Sequence, residues 1–198
     1  MSHDTAAPAK SETPDVVGDL ANIILHLYPR GRIIVAVDGA EATVTRGFAD
    51  ALATAARANG RPVDRQSMDK LLELSGATNE AAAGADGSLY DQPVDYGRFR
   101  TETLAGFRRG DFDPAAGAAA DAGGADAVLI VDGRFLLRPD LRGSWNYRVW
   151  LEGDQQLSAA DYQARLQYVR DGAAREAADA TFDVTDPGAP RRVWGDSC

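Results

Sequence analysis

The chain holds one cysteine, two histidines and two methionines in 198 residues. A lone cysteine, Cys198, cannot close an internal disulfide, so a reducing, cytoplasmic setting is expected. His3 lies in a polar opening stretch and His26 falls late in a helical pattern. Neither has a ligand-like companion, so no metal site is expected. No apolar run approaches the roughly 18–20 residues of a membrane span, and the opening residues lack a signal-peptide core. Basic charge is scarce too: the net charge is −9, which argues against nucleic acid or an anionic membrane as partner. Lysine is nearly absent, at Lys10 and Lys70 against 19 arginines, beside heavy alanine and glycine use. That bias reads as the codon usage of a high-GC genome rather than as a function.

What remains is enough for one α/β domain with a real core. Residues 1–12 are polar and unpatterned and are expected to form a disordered tail, leaving 13–198 as a single domain. Thr13, Pro14 and Asp15 supply a cap, a proline at N1 and an early acid for a first helix bearing Val16, Leu20, Ile23, Ile24 and Leu27. Strands are predicted over 32–37, 62–68, 127–131, 147–151 and 181–184, with helices over about 47–58 and 95–108. A further helix has Ser158 and Asp161 as its capping box and Tyr162, Leu166 and Val169 as its apolar face. Residues 75–93 and the low-complexity run 113–126 read as loop. Strands alternating with helices predict a parallel sheet covered on both faces, with ligands at the strand C-termini.

The most informative stretch is 33–53, IIVAVDGAEATVTRGFADALA: a buried strand, a glycine, then an amphipathic helix. This is the setting of a phosphate-binding loop, G-x-x-x-x-G-K-[ST], whose backbone amides, lysine and hydroxyl hold phosphates and magnesium. With Gly39 as the first glycine, Val44, Thr45 and Arg46 stand where glycine, lysine and Ser/Thr belong, and Thr43 lies inside the turn. The frame is present and its working side chains are not. A β-branched Val44 resists the positive φ that such a turn uses. Arg46 is a cation at the position of a metal ligand. The helix is therefore expected to start late, near Gly47, with few amides converging on an anion.

Together VAVDG (35–39), FADALA (48–53), the Ser67-Met68-Asp69 step, VLIVDGRFLLRPDLRGSW (128–145) and DVTDP (183–187) resemble the uridine kinase family of P-loop nucleoside kinases, particularly its short actinobacterial forms. The resemblance implies a three-layer P-loop kinase-like α/β fold, a parallel sheet with helices on both faces. It implies ATP as phosphate donor, a base after the second strand and arginines from a lid. Asp69 matches the base position, Asp132 is the acid after the Walker B-like strand, and Tyr90, Asp91, Gln92 and Tyr96 fall in the nucleoside-binding segment. Departures are as telling. Beyond the loop, Leu71 stands where the family places an aromatic. The stretch EGDQQL (152–157) carries no arginine, so the lid is short and lacks phosphate contacts. Phosphoryl transfer rests on positioning and electrostatic stabilisation of the phosphates, and each lost charge-assisted contact is worth roughly 1.5–3 kcal/mol. ATP with magnesium is therefore not expected to bind tightly, and no cofactor is expected.

Asp38, Asp69 and Asp132 each end a strand. They form either an acidic site able to act as general base or hold a cation, or plain caps of loops and helix ends. Arg138 and Arg142, one turn apart, form either an anion clamp or structural ion pairs. Three functions stay open: an ATP-independent enzyme using Asp69 on a nucleoside-like or other small polar substrate, a non-catalytic pseudokinase binding a ligand or partner, and an atypical surviving kinase relying on Lys70 or Arg46. The presence of an aspartate at 69 tilts towards the first. A homo-oligomer is left open.

Overall fold

A computed structural model of the chain describes residues 15–68, 89–91, 96–110, 125–154 and 157–194. Asp15 caps the first helix, α1 (Val16–Leu27), its carboxylate accepting from the Gly18 amide at 2.9 Å. Next come β1 (Arg32–Asp38), α2 (Ala42–Ala58) and β2 (Val63–Ser67). A 3₁₀ turn at Leu89–Asp91 precedes α3, a helix of three stretches, Tyr96–Arg98, Phe99–Leu104 and Ala105–Arg109, the middle one wound wide as a π-helix. Then follow β3 (Ala127–Gly133), the short α4 (Pro139–Arg142), β4 (Tyr147–Glu152), α5 (Ala159–Gly172), β5 (Ala180–Asp183) and β6 (Arg191–Val193).

The six strands form one sheet in the order β2-β3-β1-β4-β5-β6. The β1–β3, β1–β4, β2–β3 and β4–β5 pairs are parallel, and β6 returns antiparallel on β5. β1 and β3 are central and buried on both faces, so each is a continuous apolar run rich in Val and Ile instead of an alternating one. On one face Ile33, Val35, Val37, Val128 and Ile130 pack on Leu20, Ile24, Phe48 and Leu52 of α1 and α2. On the other, Ile34, Ala36, Leu129 and Val131 pack on Leu104 and Phe107 of α3 and Tyr168 of α5. Each such fully buried side chain contributes about 1.5–3 kcal/mol. The result is the expected mixed α/β, three-layer architecture.

Three local readings differ. The helix after β1 starts at Ala42, not near Gly47: residues 42–46 contain neither glycine nor proline, and a side-chain cap precedes them. The sheet does not end at β5, because the Asp186–Ala189 turn brings β6 back beside it. Finally, Tyr162, Leu166 and Val169 of α5 face outward, 53%, 48% and 39% exposed, while Ala164 and Tyr168 face the core. Residues 1–14, most of 75–93 and most of 113–126, with the expectations placed on them, lie outside the described residues.

Candidate functional site

Two glycines let the strand ends approach closely. Gly39 donates its amide to the Gly133 carbonyl at 3.3 Å. Gly133 itself has φ 152°, and a Cβ there would lie 2.7 Å from the Met68 Cβ, so only glycine fits at this crossing. Past Gly39 the chain enters α2 almost at once. Glu41 is its N-cap, and the carboxylate accepts from the Thr43 amide at 2.9 Å and the Val44 amide at 2.7 Å. Thr45 is wholly buried, its hydroxyl donating to the Glu41 carbonyl at 2.7 Å. It lies under Gly39, where an added Cβ would come within 2.1 Å of the Thr45 Oγ1. Arg46 is exposed, and no residue from 39 to 46 has a positive φ.

The amides at the start of α2 thus have an anion already, the carboxylate of Glu41. Burial raises the Glu41 carboxyl, but the two amides, the Thr43 hydroxyl and nearby Arg46 outweigh it and hold the group below its ordinary value of 4.5. A depressed carboxyl stabilises the fold above its unfolded value and loses that contribution as acid protonates it. The cap is therefore complete at neutral pH and lost in acid. Glu41→Ala is expected to cost about 1 kcal/mol in urea unfolding at pH 7, and progressively less as acid takes the solution through the lowered titration of the wild-type carboxyl. A cost unchanged with pH would mean that the carboxylate does not hold the helix.

Asp38, at the end of β1, is fully buried and fully engaged. Its Oδ2 accepts from the Tyr168 hydroxyl at 2.6 Å and the Leu137 amide at 3.1 Å, and its Oδ1 from Arg165 at 2.9 Å. Arg165 in turn stacks 3.6 Å over the Trp150 ring. Burial, then the Asp38 charge, pushes the Tyr168 phenol well above its ordinary range, so it stays a proton donor. Asp132, at the end of β3, is 2% exposed and pairs with Arg65 of β2 at 2.8 Å. Arg65 also reaches Asp50 of α2 at 3.0 Å and the Ile130 carbonyl at 3.1 Å.

The two carboxylates end neighbouring strands at one edge of the sheet but do not share a site. Val37 is level with Asp132, and Asp38 with Gly133. Because side chains alternate along a strand, Asp38 points towards α5 and Asp132 towards α2. A one-residue offset in register separates them, and each has its own arginine. This corrects the reading of a joint acidic centre, at least for these two members. Asp69, the third, lies outside the described residues, as do Gln92, Lys70 and Leu71.

Of the nucleoside-segment residues, Tyr90 and Tyr96 sandwich Arg138, whose guanidinium carbon is 4.9 Å and 4.3 Å from their ring centres. Burial raises the Tyr96 phenol, against the opposing effect of Arg138. Tyr90 also packs on Phe135 at 5.3 Å and Tyr168 at 5.4 Å, so aromatic rings fill the space beside Asp38. Phe135 reaches this cluster from a left-handed turn, φ 63°, a strained conformation for a bulky residue. Asp91 accepts from Gln167 of α5 at 2.9 Å. Arg142 donates from Nε to the Leu137 carbonyl at 2.8 Å, and Arg138 is 3.8 Å from Asp140, beyond hydrogen-bond reach. Among the described residues neither arginine makes a close carboxylate pair. The structure thus brings together Asp38, Tyr90, Tyr96 and Arg138, leaves Asp132 on the other face, and keeps Gly39, Thr43, Thr45 and Arg46 at the start of α2.

Glu41, Arg65, Arg165 and Tyr168 have no place in the sequence reading. Glu41 had a signal, a carboxylate directly before a glycine-free run. Arg165 and Tyr168 sit i, i+3 on the α5 face opposite the apolar stripe, and that stripe hid them. Among the described residues no group of three or more His, Cys, Asp or Glu is arranged to hold a metal, and no helix is long and apolar enough to cross a membrane.

No family model matches the chain, and no curated protein matches it in sequence. Solved structures do. The fold is similar to that of a possible uridine kinase from Bacillus stearothermophilus, with a TM-score of 0.64 and 16% identity over 85% of this chain and 98% of that one. A "putative fructose transport system kinase" from Silicibacter sp. TM1040 is 24% identical over 81% of this chain and 91% of its own, with a TM-score of 0.49. At 16% identity the first likeness shows the fold, that of a kinase-like α/β protein, and leaves activity to the site.

Proposed function

We propose that this chain carries a nucleoside-kinase-like fold without the ATP phosphate site, and acts as an ATP-independent, non-catalytic binding protein for a nucleoside-like or similarly small polar ligand. The observation that carries this reading is the Glu41 carboxylate seated on the Thr43 and Val44 amides. A nucleotide phosphate would have to displace that carboxylate and then stay beside its charge. With threonine at 45 and arginine at 46, the positions of the lysine and the metal-binding hydroxyl hold no group that would offset the cost. Asp38 and Asp132 support the non-catalytic side, since each is buried and held by its own arginine. The ligand class comes from the resemblance to nucleoside kinases and from the likeness of the fold to that of a possible uridine kinase. Tyr96 and Arg138, both part-exposed beside the buried Tyr90, are the described groups such a ligand would meet.

One observation favours a second reading, an enzyme that uses Asp69 as general base on the same ligand. It is the Ser67-Met68-Asp69 step, with Met68 buried at the end of β2. Asp38 and Asp132 being engaged elsewhere, Asp69 would act without them.

A screen of nucleosides against their mono-, di- and triphosphates by thermal shift and calorimetry tests the proposal. Nucleosides are expected to raise the melting temperature, and added phosphates to weaken binding stepwise. Tighter binding with each phosphate would contradict it. Asp69→Asn separates the two readings: loss of a general base lowers turnover by roughly 10²–10⁴, whereas a binding protein shows no turnover to lose and binds its ligand with either residue.

A further inference from the structure

The outward face of α5 carries three of the five large apolar side chains that are exposed among the described residues. Tyr162, Leu166 and Val169 lie on it, and Ala159 and Ala173 are exposed at its two ends. Positions 159, 162, 166 and 169 of the helix are spaced alternately by three and four residues, and Ala173 is the left-handed C-cap that follows it. That spacing makes the narrow seam along which one helix packs against another, not the broad stripe of a helix laid on a sheet. The helix has its core contacts already, through Ala164, Arg165 and Tyr168. The seam is therefore additional to what the fold needs, and such patches mark interaction sites.

In sequence the seam is centred on Leu166, with Ala159 at the start of the helix and Ala173 at its left-handed C-cap, seven residues to either side. An antiparallel two-fold pairing through Leu166 sets each Ala159 against an Ala173, where small residues let the helices approach. It sets Leu166 on Leu166 at the axis. It also brings Arg170, whose exposed guanidinium has Asp171 as its ion-pair partner, over the Tyr162 ring of the second copy. Charge points the same way. A chain of net charge −9 repels its own copies, yet positions 159, 162, 163, 166, 169, 170 and 173 hold no acid and one arginine.

We propose that the α5 seam is a self-association surface, and that the protein forms a two-fold dimer through antiparallel α5 helices with Leu166 on the axis. A pair of four-turn helices buries less than the roughly 1,200 Å² of a standard stable interface, so a dissociation constant on the order of 10–100 μM is expected. Salt should tighten it by screening the net charge.

Sedimentation equilibrium of the full chain up to about 200 μM, well into the expected range, tests this with two variants. Wild type is expected to pass from monomer to dimer, more readily at higher salt. Leu166→Glu, at an exposed position, should weaken association at least about tenfold, since it sets like charges face to face, with an unchanged circular dichroism spectrum and melting temperature. In a Cys198→Ser background, Leu166→Cys should oxidise to a disulfide-linked dimer at least about tenfold faster than Ala58→Cys, an exposed position on α2. A wild type that stays monomeric overturns the proposal. So does a dimer that survives Leu166→Glu, which would place association on another face, or equal cross-linking of the two cysteine variants.

Discussion

Arg165→Ala should lower the free energy of unfolding by about 3–5 kcal/mol. Asp38 has no exposure to solvent, and Arg165 is the cation within hydrogen-bond distance of it, at 2.9 Å. Without the guanidinium the carboxylate would keep only the Tyr168 hydroxyl and the Leu137 amide. An uncompensated buried charge is among the costliest single defects in a core. The loss of the stack on Trp150 adds packing to charge. Urea unfolding checks the prediction, and Asp38→Asn combined with Arg165→Met should recover much of the loss, because a neutral pair leaves no orphan charge. A cost below about 1 kcal/mol for Arg165→Ala, the range of an exposed pair, would mean that Asp38 is not held as a structural anion and is available for chemistry.

A second large effect is expected on the opposite face of the sheet. Arg65→Ala strands Asp132, whose side chain is 3% exposed, and should cost about 3 kcal/mol. Arg65 also touches Asp50, but Asp50 is 62% exposed and that contact is worth little. A double-mutant cycle makes the distinction. Coupling of Arg65 to Asp132 should exceed about 1.5 kcal/mol, and coupling to Asp50 should stay under about 0.5 kcal/mol. Reversed magnitudes would show that Arg65 serves the surface of α2 and that Asp132 is stable without it.

The frame of the molecule was legible because its signals are continuous. β1 and β3 are apolar runs rich in Val and Ile that end at a glycine, and Ser158 caps α5 as its spacing predicts, with the Asp161 amide 3.1 Å from the Ser158 hydroxyl. The start of α2 was misread because the phosphate-loop template sets the helix after its last glycine position, whereas local chemistry starts it at Ala42 behind Glu41. The face of α5 was inverted because periodicity counts apolar residues alone. The buried side of that helix carries Arg165, and its polarity is offset by Asp38, 127 residues earlier in the chain. The joint acidic centre failed for a reason invisible in one dimension. Asp38 and Asp132 both precede a glycine, yet the register of β1 on β3 offsets them by one residue, and alternation sends them to opposite faces. Strand ends could be located from sequence; which face each end serves depended on pairing.

The central claim concerns the start of α2, and calorimetric titration of the full chain with Mg-ATP tests it most directly. With Glu41 on the Thr43 and Val44 amides and Thr45 buried beneath Gly39, no binding heat is expected at sub-millimolar nucleotide. A dissociation constant near 10 μM, about −7 kcal/mol, would contradict the account, because it would require the Glu41 cap to open and the residues of α2 to rebuild a phosphate site.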